Sequence, residues 1–147
     1  MNENEKKHLI FKIGDELFGS PLLSIREVLE YQKPKAMPNM KSSFSGVINV
    51  RGAIVGVVDL RLQFGFPAEN TTRTAMLLCD TDRGAIAAIV DRAENVVEFN
   101  DNDVDRQPAI VPRFKTDYLM GVARRDEKLI TLIDLHRSLT EEEFKAA

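Results

Sequence analysis

The 147-residue sequence predicts an all-β protein made of two small five-stranded barrels packed together, with short helices between strands and a helix near the C-terminus. Three observations predict it. The apolar segments are short and rich in Val and Ile, as strands prefer. Gly, Pro, Asn and Asp punctuate them at regular intervals, as in sandwiches and barrels. No alternation of strands with long helical segments supports a parallel βαβ sheet.

Taken in order, "HLIFKI" (8–13) is a strand closed by the turn signal Gly14-Asp15. "ELFGS" follows, then "PLLSIREVLE" (21–30), where Leu22, Ile25 and Val28 recur every three residues. That spacing suits a helical or 3₁₀ segment, and equally a short turn entering a strand. Pro34 and Pro38 make "YQKPKAMPNM" an extended loop. "GVINV" (46–50) and "AIVGVVDL" (53–60) are strands flanking Arg51-Gly52, a tight turn in which Gly takes a positive φ and Arg points to water. The loop "GFPAENTTR" (65–73) divides the chain near its middle. Beyond it come "TAMLLCD" (74–80), "AIAAIVD" (85–91), "NVVEF" (95–99), "YLMGVARR" (118–125) and "LITLIDL" (129–135). The tail "HRSLTEEEFKAA" has the Ser/Thr and Glu pattern of a helix start. The halves have similar strand density without clear sequence repetition, and each has room for about five short strands. The expected organisation is a flexible terminus over 1–7, a single domain of two barrels over 8–140 with its divide near 65–73, and a helix end and tail over 141–147.

Composition narrows the function classes. The net charge of −3 argues against nucleic acid and anionic membrane as partners, because no basic excess displaces counterions. No charged-then-apolar leader opens the chain, and no apolar run approaches the roughly 20 residues a membrane helix needs. A cytoplasmic protein without direct membrane insertion is expected. The single cysteine, Cys79, forms no internal disulfide and reads as a buried small apolar residue.

No catalytic, cofactor-binding or metal-ligating constellation stands out. His8 and His136 lack accompanying ligands. Asp101, Asp103 and Asp105 open like a calcium loop, but Arg106 stands where that loop needs Gly and Pro112 where it needs the bidentate Glu. Nucleophile elbows and phosphate-cradling glycine motifs are absent. The residues offer no positive argument for an enzyme. They do place apolar Leu22, Ile25 and Val28 beside charged Arg26, Glu27 and Glu30, which suits either the seal of one barrel or the lining of an outer groove. Arg51 is replaceable as a turn residue; as Arg, its planar five-donor fork suits a carboxylate or carbonyl partner.

"GVINVRGAIVGVVDLRLQFG" resembles the signature of the CheW family of bacterial chemotaxis adaptors, close to Gly-Val-Ile-Asn-Leu-Arg-Gly, an Ile/Val run, Pro and Val-Asp-Leu-Arg. "FKIGDELFGSPLLSIREVLE", "AIVDRAENVVE" and "YLMGVARRDEKLITLIDLHRSL" resemble further family segments, so the likeness runs over residues 8 to 140 in order. The resemblance implies two five-stranded SH3-like barrels with a groove between them and no enzyme activity. The implied partners are the chemoreceptor signalling tip, the regulatory domain of the histidine kinase CheA and other CheW-like proteins, with localisation at membrane receptor arrays through those partners. It implies no cofactor or metal.

By position, the resemblance places receptor contacts on Leu9, Leu22, Ile25, Val28 and Val96. It assigns coupling and kinase control to Arg51, framed by Gly46, Asn49 and Gly52. Asp59 and Arg61 read mainly as structural, in a strand frame. Gly56 replaces the usual Pro and Ala93 a usual Val, both with loss of side-chain bulk. The absence of receiver or kinase sequence favours a stand-alone adaptor. The alternatives are an adaptor of a non-flagellar chemosensory pathway, or a small-molecule or peptide sensor on the same double barrel with the groove as its pocket.

Overall fold

The computed structural model describes residues 6–38, 43–106, 108 and 118–140. The expectations for residues 1–5 and 141–147 lie outside the described residues, and Lys7, placed in the flexible terminus from sequence, already begins the first strand. Among the described residues, eleven strands and two short α-helices follow one another: β1 Lys7–Ile13, β2 Glu16–Pro21, β3 Glu27–Glu30, β4 Phe44–Val50, β5 Ala53–Asp59, α1 Leu60–Gln63, β6 Ala75–Thr81, β7 Gly84–Val90, β8 Arg92–Glu98, β9 Val104–Asp105, β10 Leu119–Arg125, β11 Lys128–Ile133 and α2 Leu135–Leu139. The segment after β2 is both things its spacing suggested: a 3₁₀ turn at Leu22–Ser24, then a short strand.

The strands form two sheets, one of six in the order β8-β1-β2-β11-β10-β9 and one of five in the order β3-β6-β7-β5-β4. The sixth strand is the two-residue β9, beyond the five expected per unit. The larger correction concerns the divide at 65–73, which does not separate the sheets. The six-stranded sheet takes β1 and β2 from before that loop and four strands from after it; the five-stranded sheet takes β6 and β7 from after it and three strands from before. Two parallel pairings cause the exchange: β5 lies beside β7, and β11 beside β2. Each half lends its opening hairpin to the other half's sheet.

The pairing registers show that the halves are built alike. In β4–β5, Val50 faces Ala53 and a bulge interrupts pairing between Phe44 and Gly46. In β10–β11, Arg125 faces Lys128 and a bulge falls between Leu119 and Gly121, 75 positions later at every step. Asp59 and Asp134 then end their strands, and each side chain accepts a backbone N–H bond from the helix it caps, relieving an otherwise unpaired donor. Asp59 is the last residue of its strand, as the strand reading expected; that reading is corrected for Arg61, which is helical. The opening hairpins correspond too, β1–β2 joining Ile13 to Glu16 and β6–β7 joining Thr81 to Gly84.

Burial divides into three layers. Ile48, Val55, Val57, Met76 and Ile89 fill the inner face of the five-stranded sheet. Ile10, Phe99, Ala123 and Leu132 fill that of the six-stranded sheet. The largest cluster lies between the sheets, with Phe11, Phe18 and Ile133 from one, Leu77, Ala88 and Val90 from the other, and Leu60, Phe64, Leu135 and Leu139 from the two helices. Each Val, Leu, Ile or Phe side chain among these, fully buried, stabilises by about 1.5–3 kcal/mol.

Candidate functional site

Arg51 sits at the tip of the β4–β5 hairpin. It and Gly52 have φ of 49° and 87°, the all-positive pattern of a two-residue hairpin turn whose twist matches the strands. Asn49 closes the turn, its side-chain oxygen accepting the Gly52 N–H at 2.9 Å. Gly46 fixes the base of the same hairpin. Its φ is 125°, and a Cβ there would stand 2.0 Å from the Lys35 carbonyl oxygen, so only glycine admits the close approach of residues 35–36. That approach is a bridge: Lys35 and Val47 exchange backbone hydrogen bonds of 2.8 and 3.0 Å. It lays the segment after β3 along β4, bringing the two ends of the five-stranded sheet towards each other.

The Arg51 guanidinium meets Glu27 Oε1 of β3 at 2.9 Å, with the Arg51 side chain 65% exposed. An ion pair this open contributes little to stability; its consequence is that the turn's cation is held over the end strand. Glu27 was not singled out from sequence, since a pairing across 24 positions leaves no local signal. Neighbouring Arg26 pairs with Asp80 of β6, which raises the Arg26 pKa and lowers that of Asp80, chiefly through their mutual hydrogen bond.

The apolar residues expected to line a groove all border the layer between the sheets. Leu22 and Ile25 are half-buried and pack against it. Val28 pairs in register with Leu77, a member of that layer, and is 46% exposed. Val96 pairs with Leu9 and is 49% exposed. Leu9 itself is core, 6% exposed, and presents little surface. Val28 and Val96 occupy corresponding places on the end strands of the two sheets, one beside Leu77 of β6 and the other beside Leu9 of β1. The ion pair brings Arg51 to the strand carrying Val28, whereas Val96 stands on the other sheet.

Residues 7–143 match the family described as CheW-like domain. The chain belongs to that family. Over its full length it is 28% identical to a probable chemotaxis protein CheW of Rhizobium etli, covering 96% of that protein. It is also 28% identical to the chemotaxis protein CheW of Rhizobium meliloti, over 98% of this chain and 99% of the relative. The crystal structure of the scaffolding protein TtCheW from Thermoanaerobacter tengcongensis superposes with a TM-score of 0.84 at 25% identity, covering 95% of this chain and 90% of that one.

Within the CheW-like pattern, Arg61 is the internal counterpart to the displayed Arg51. It is 2% exposed, donates to both Asp59 oxygens at 3.0 Å and to Asp91 at 3.2 Å, and reaches the Glu69 carbonyl and Asn70. Burial works against its charge, but the Asp59 and Asp91 carboxylates outweigh that and raise its pKa. Asp91 also accepts the Gly14 N–H at 2.7 Å, so one buried cation ties α1, the 65–73 loop and the β1–β2 turn together. Of the two departures from the family pattern, Ala93 lies opposite Phe11 on β8 and Gly56 lies beside Phe44 on β5. Cys79 is buried, and its thiol is pushed up to about 12, which removes nucleophilic character. Among the described residues, no group of His, Cys, Asp and Glu is arranged to hold a metal ion, and no helix is long and apolar enough to cross a membrane.

Proposed function

We propose that the chain is a non-enzymatic chemotaxis scaffold, working in the cytoplasm, that couples chemoreceptor tips to the regulatory domain of the kinase CheA. The observation that carries this reading is the match across residues 7–143 to the CheW-like family, with relatives named chemotaxis protein CheW aligned over nearly their whole length. The site supports it. Val28 and Val96 continue the apolar inter-sheet layer out to solvent, beside half-buried Leu22 and Ile25, as docking of an amphipathic helix requires. Arg51 is displayed on a turn whose geometry Gly46, Asn49 and Gly52 enforce, which suits a residue that must meet a partner at a set position. The sensor alternative needs a pocket with several convergent polar groups, and no observation favours it.

The test is a pull-down of the full chain with a receptor signalling tip and with a CheA regulatory domain, followed by a reconstituted kinase assay. Val28→Glu and Val96→Glu, both at exposed positions, are expected to weaken receptor-tip binding while the fold persists. Arg51→Ala is expected to change stability by about 0.5 kcal/mol or less and to lower receptor-dependent kinase activation sharply. A folded chain that binds neither partner, across several cognate candidates, would overturn the reading.

A further inference from the structure

The apolar row that begins at Val28 crosses the five-stranded sheet and reaches solvent a second time. Val28 of β3 faces Leu77, Leu77 faces Ala88, and Ala88 faces Val58 of β5. Leu77, Ala88 and Val58 belong to the layer between the sheets. At the Val28 end the row borders the candidate groove. At the Val58 end it borders a cavity of about 290 Å3, bounded also by Phe44, Ile54, Gly56 and Ile86. The two openings lie three strand spacings apart, about 14 Å, so both can be occupied at once.

Gly56 contributes no side chain where the family pattern has Pro, and a Cβ there would stand 3.2 Å from the Phe44 ring. A larger residue at 56 would take its room from the cavity or from Phe44. Arg83, at the β6–β7 turn, supplies the charge in the cavity wall and is in no ion pair among the described residues. Ile54 is 70% exposed and faces Asn49, which closes the Arg51 turn, so this wall and Arg51 share one hairpin. The volume is at the foot of the range for small-molecule sites, about 300–1,000 Å3, and suits one or two side chains of a protein partner.

We propose that this cavity is a socket for the CheA regulatory domain, taking from it a bulky apolar side chain with a carboxylate beside it, and that Gly56 sets the size of side chain admitted. The proposal rests on the adaptor reading above, which requires two partners held at once. The receptor tip takes the groove at Val28 and Val96; the cavity is the second opening of the same apolar layer, on the hairpin that displays Arg51. An apolar side chain seated there buries Ile54, and its neighbouring carboxylate meets Arg83, which confers specificity more than affinity.

Calorimetric titration and methyl NMR of the full chain, with the CheA regulatory domain and separately with a receptor tip, test this. The regulatory domain is expected to shift the Ile54 and Ile86 methyl signals, and the tip to leave them in place. Ile54→Glu, at an exposed position, should weaken regulatory-domain binding by about tenfold or more, and Arg83→Glu by about threefold. Gly56→Ala should weaken it as well, with tip affinity unchanged in all three variants. Methyl signals unmoved by a regulatory domain that binds, or full affinity in Ile54→Glu, overturn the socket and leave the adaptor reading standing. A folded chain that binds neither domain overturns both. Ile86 shifts that grow with the concentration of the chain alone put a second copy in the cavity and overturn the proposal.

Discussion

The β4–β5 and β10–β11 hairpins share bulge, register and an Asp-capped helix at the far end, and they differ at the tip. The first turns on Arg51-Gly52, braced by Asn49. The second turns on Asp126-Glu127, with φ of 51° and 66°. Even the bonds closing the bases correspond: the Asp59 N–H donates to the Ser43 carbonyl at 2.7 Å and the Asp134 N–H to the Tyr118 carbonyl at 2.8 Å. The two copies meet where α1 faces α2, Gln63 Nε2 donating to the Ser138 carbonyl at 2.8 Å. What the comparison teaches is a separation of tasks. Backbone geometry and the layer between the sheets are duplicated because folding needs them in both halves. Side chains that serve one purpose appear once: Arg51 with Glu27 on one tip, and Arg61 in one helix, where the corresponding residue of the other helix is His136.

That separation is open to breaking. The largest effect belongs to Arg61→Ala, which strands Asp59 and the partly buried Asp91 without their cation. A loss of about 3–5 kcal/mol is expected, against about 0.5 kcal/mol or less for half-buried His136→Ala. Urea unfolding of both variants checks it, and equal losses would show that the halves share this load. Next is Gly46→Ala, which forces a Cβ into the Lys35 carbonyl at a positive φ. A loss of about 3 kcal/mol is expected, read as a drop in the thermal midpoint.

A smaller effect concerns His8, 1% exposed, whose ring meets Phe99 edge-on and whose Nδ1 lies 3.1 Å from the Lys6 carbonyl. Burial first, and Arg106 in addition, lower its pKa against the opposing Lys6 hydrogen bond. The folded state therefore takes up the proton less readily than the unfolded chain, whose histidine titrates near 6.5. Between the lowered value and 6.5 the unfolded state binds more protons, so stability rises with pH and is lost as pH falls through that window. Met76 occupies the corresponding place in the other sheet. His8→Met should therefore flatten stability measured between pH 7.5 and 5.5, and an unchanged slope would assign the dependence elsewhere. The smallest effect is a gain: Glu127→Gly relieves a side chain at φ 66° and should stabilise by about 0.5 kcal/mol.

Most strands were legible in the sequence because period and punctuation are local. Their partners were not. Val57 and Val58 pair with Gly46 and Phe44 of their own half, and nothing local marks their second pairing, with Ala87 and Ala88 across the 65–73 loop. The duplication stayed hidden because the turn residues differ and because the spacing between equivalents changes from 68 positions in the opening hairpins to 75 in the closing ones. Of the candidate site, Gly52 was legible through turn chemistry, Gly46 and Asn49 only through the family resemblance, and the structure gives each a physical task. Leu9, placed at the groove by the family resemblance, is 6% exposed, and its burial was not legible because an apolar residue in a strand carries no mark of which surface it faces. Glu27 was missed because ion-pair partners distant in the chain cannot be read from one sequence.

The exchange of hairpins between halves also sets a timetable at the ribosome. Leu17 of β2 pairs with Ile130, more than 100 positions later. At about 5–20 residues per second of synthesis, the β1–β2 hairpin waits roughly 6–20 s for that strand. Through that interval its ladder of unpaired amides and carbonyls is open to any neighbouring chain. A nascent copy that stalls at mid-length therefore has no finished half to fall back on, and would be an early client for chaperones.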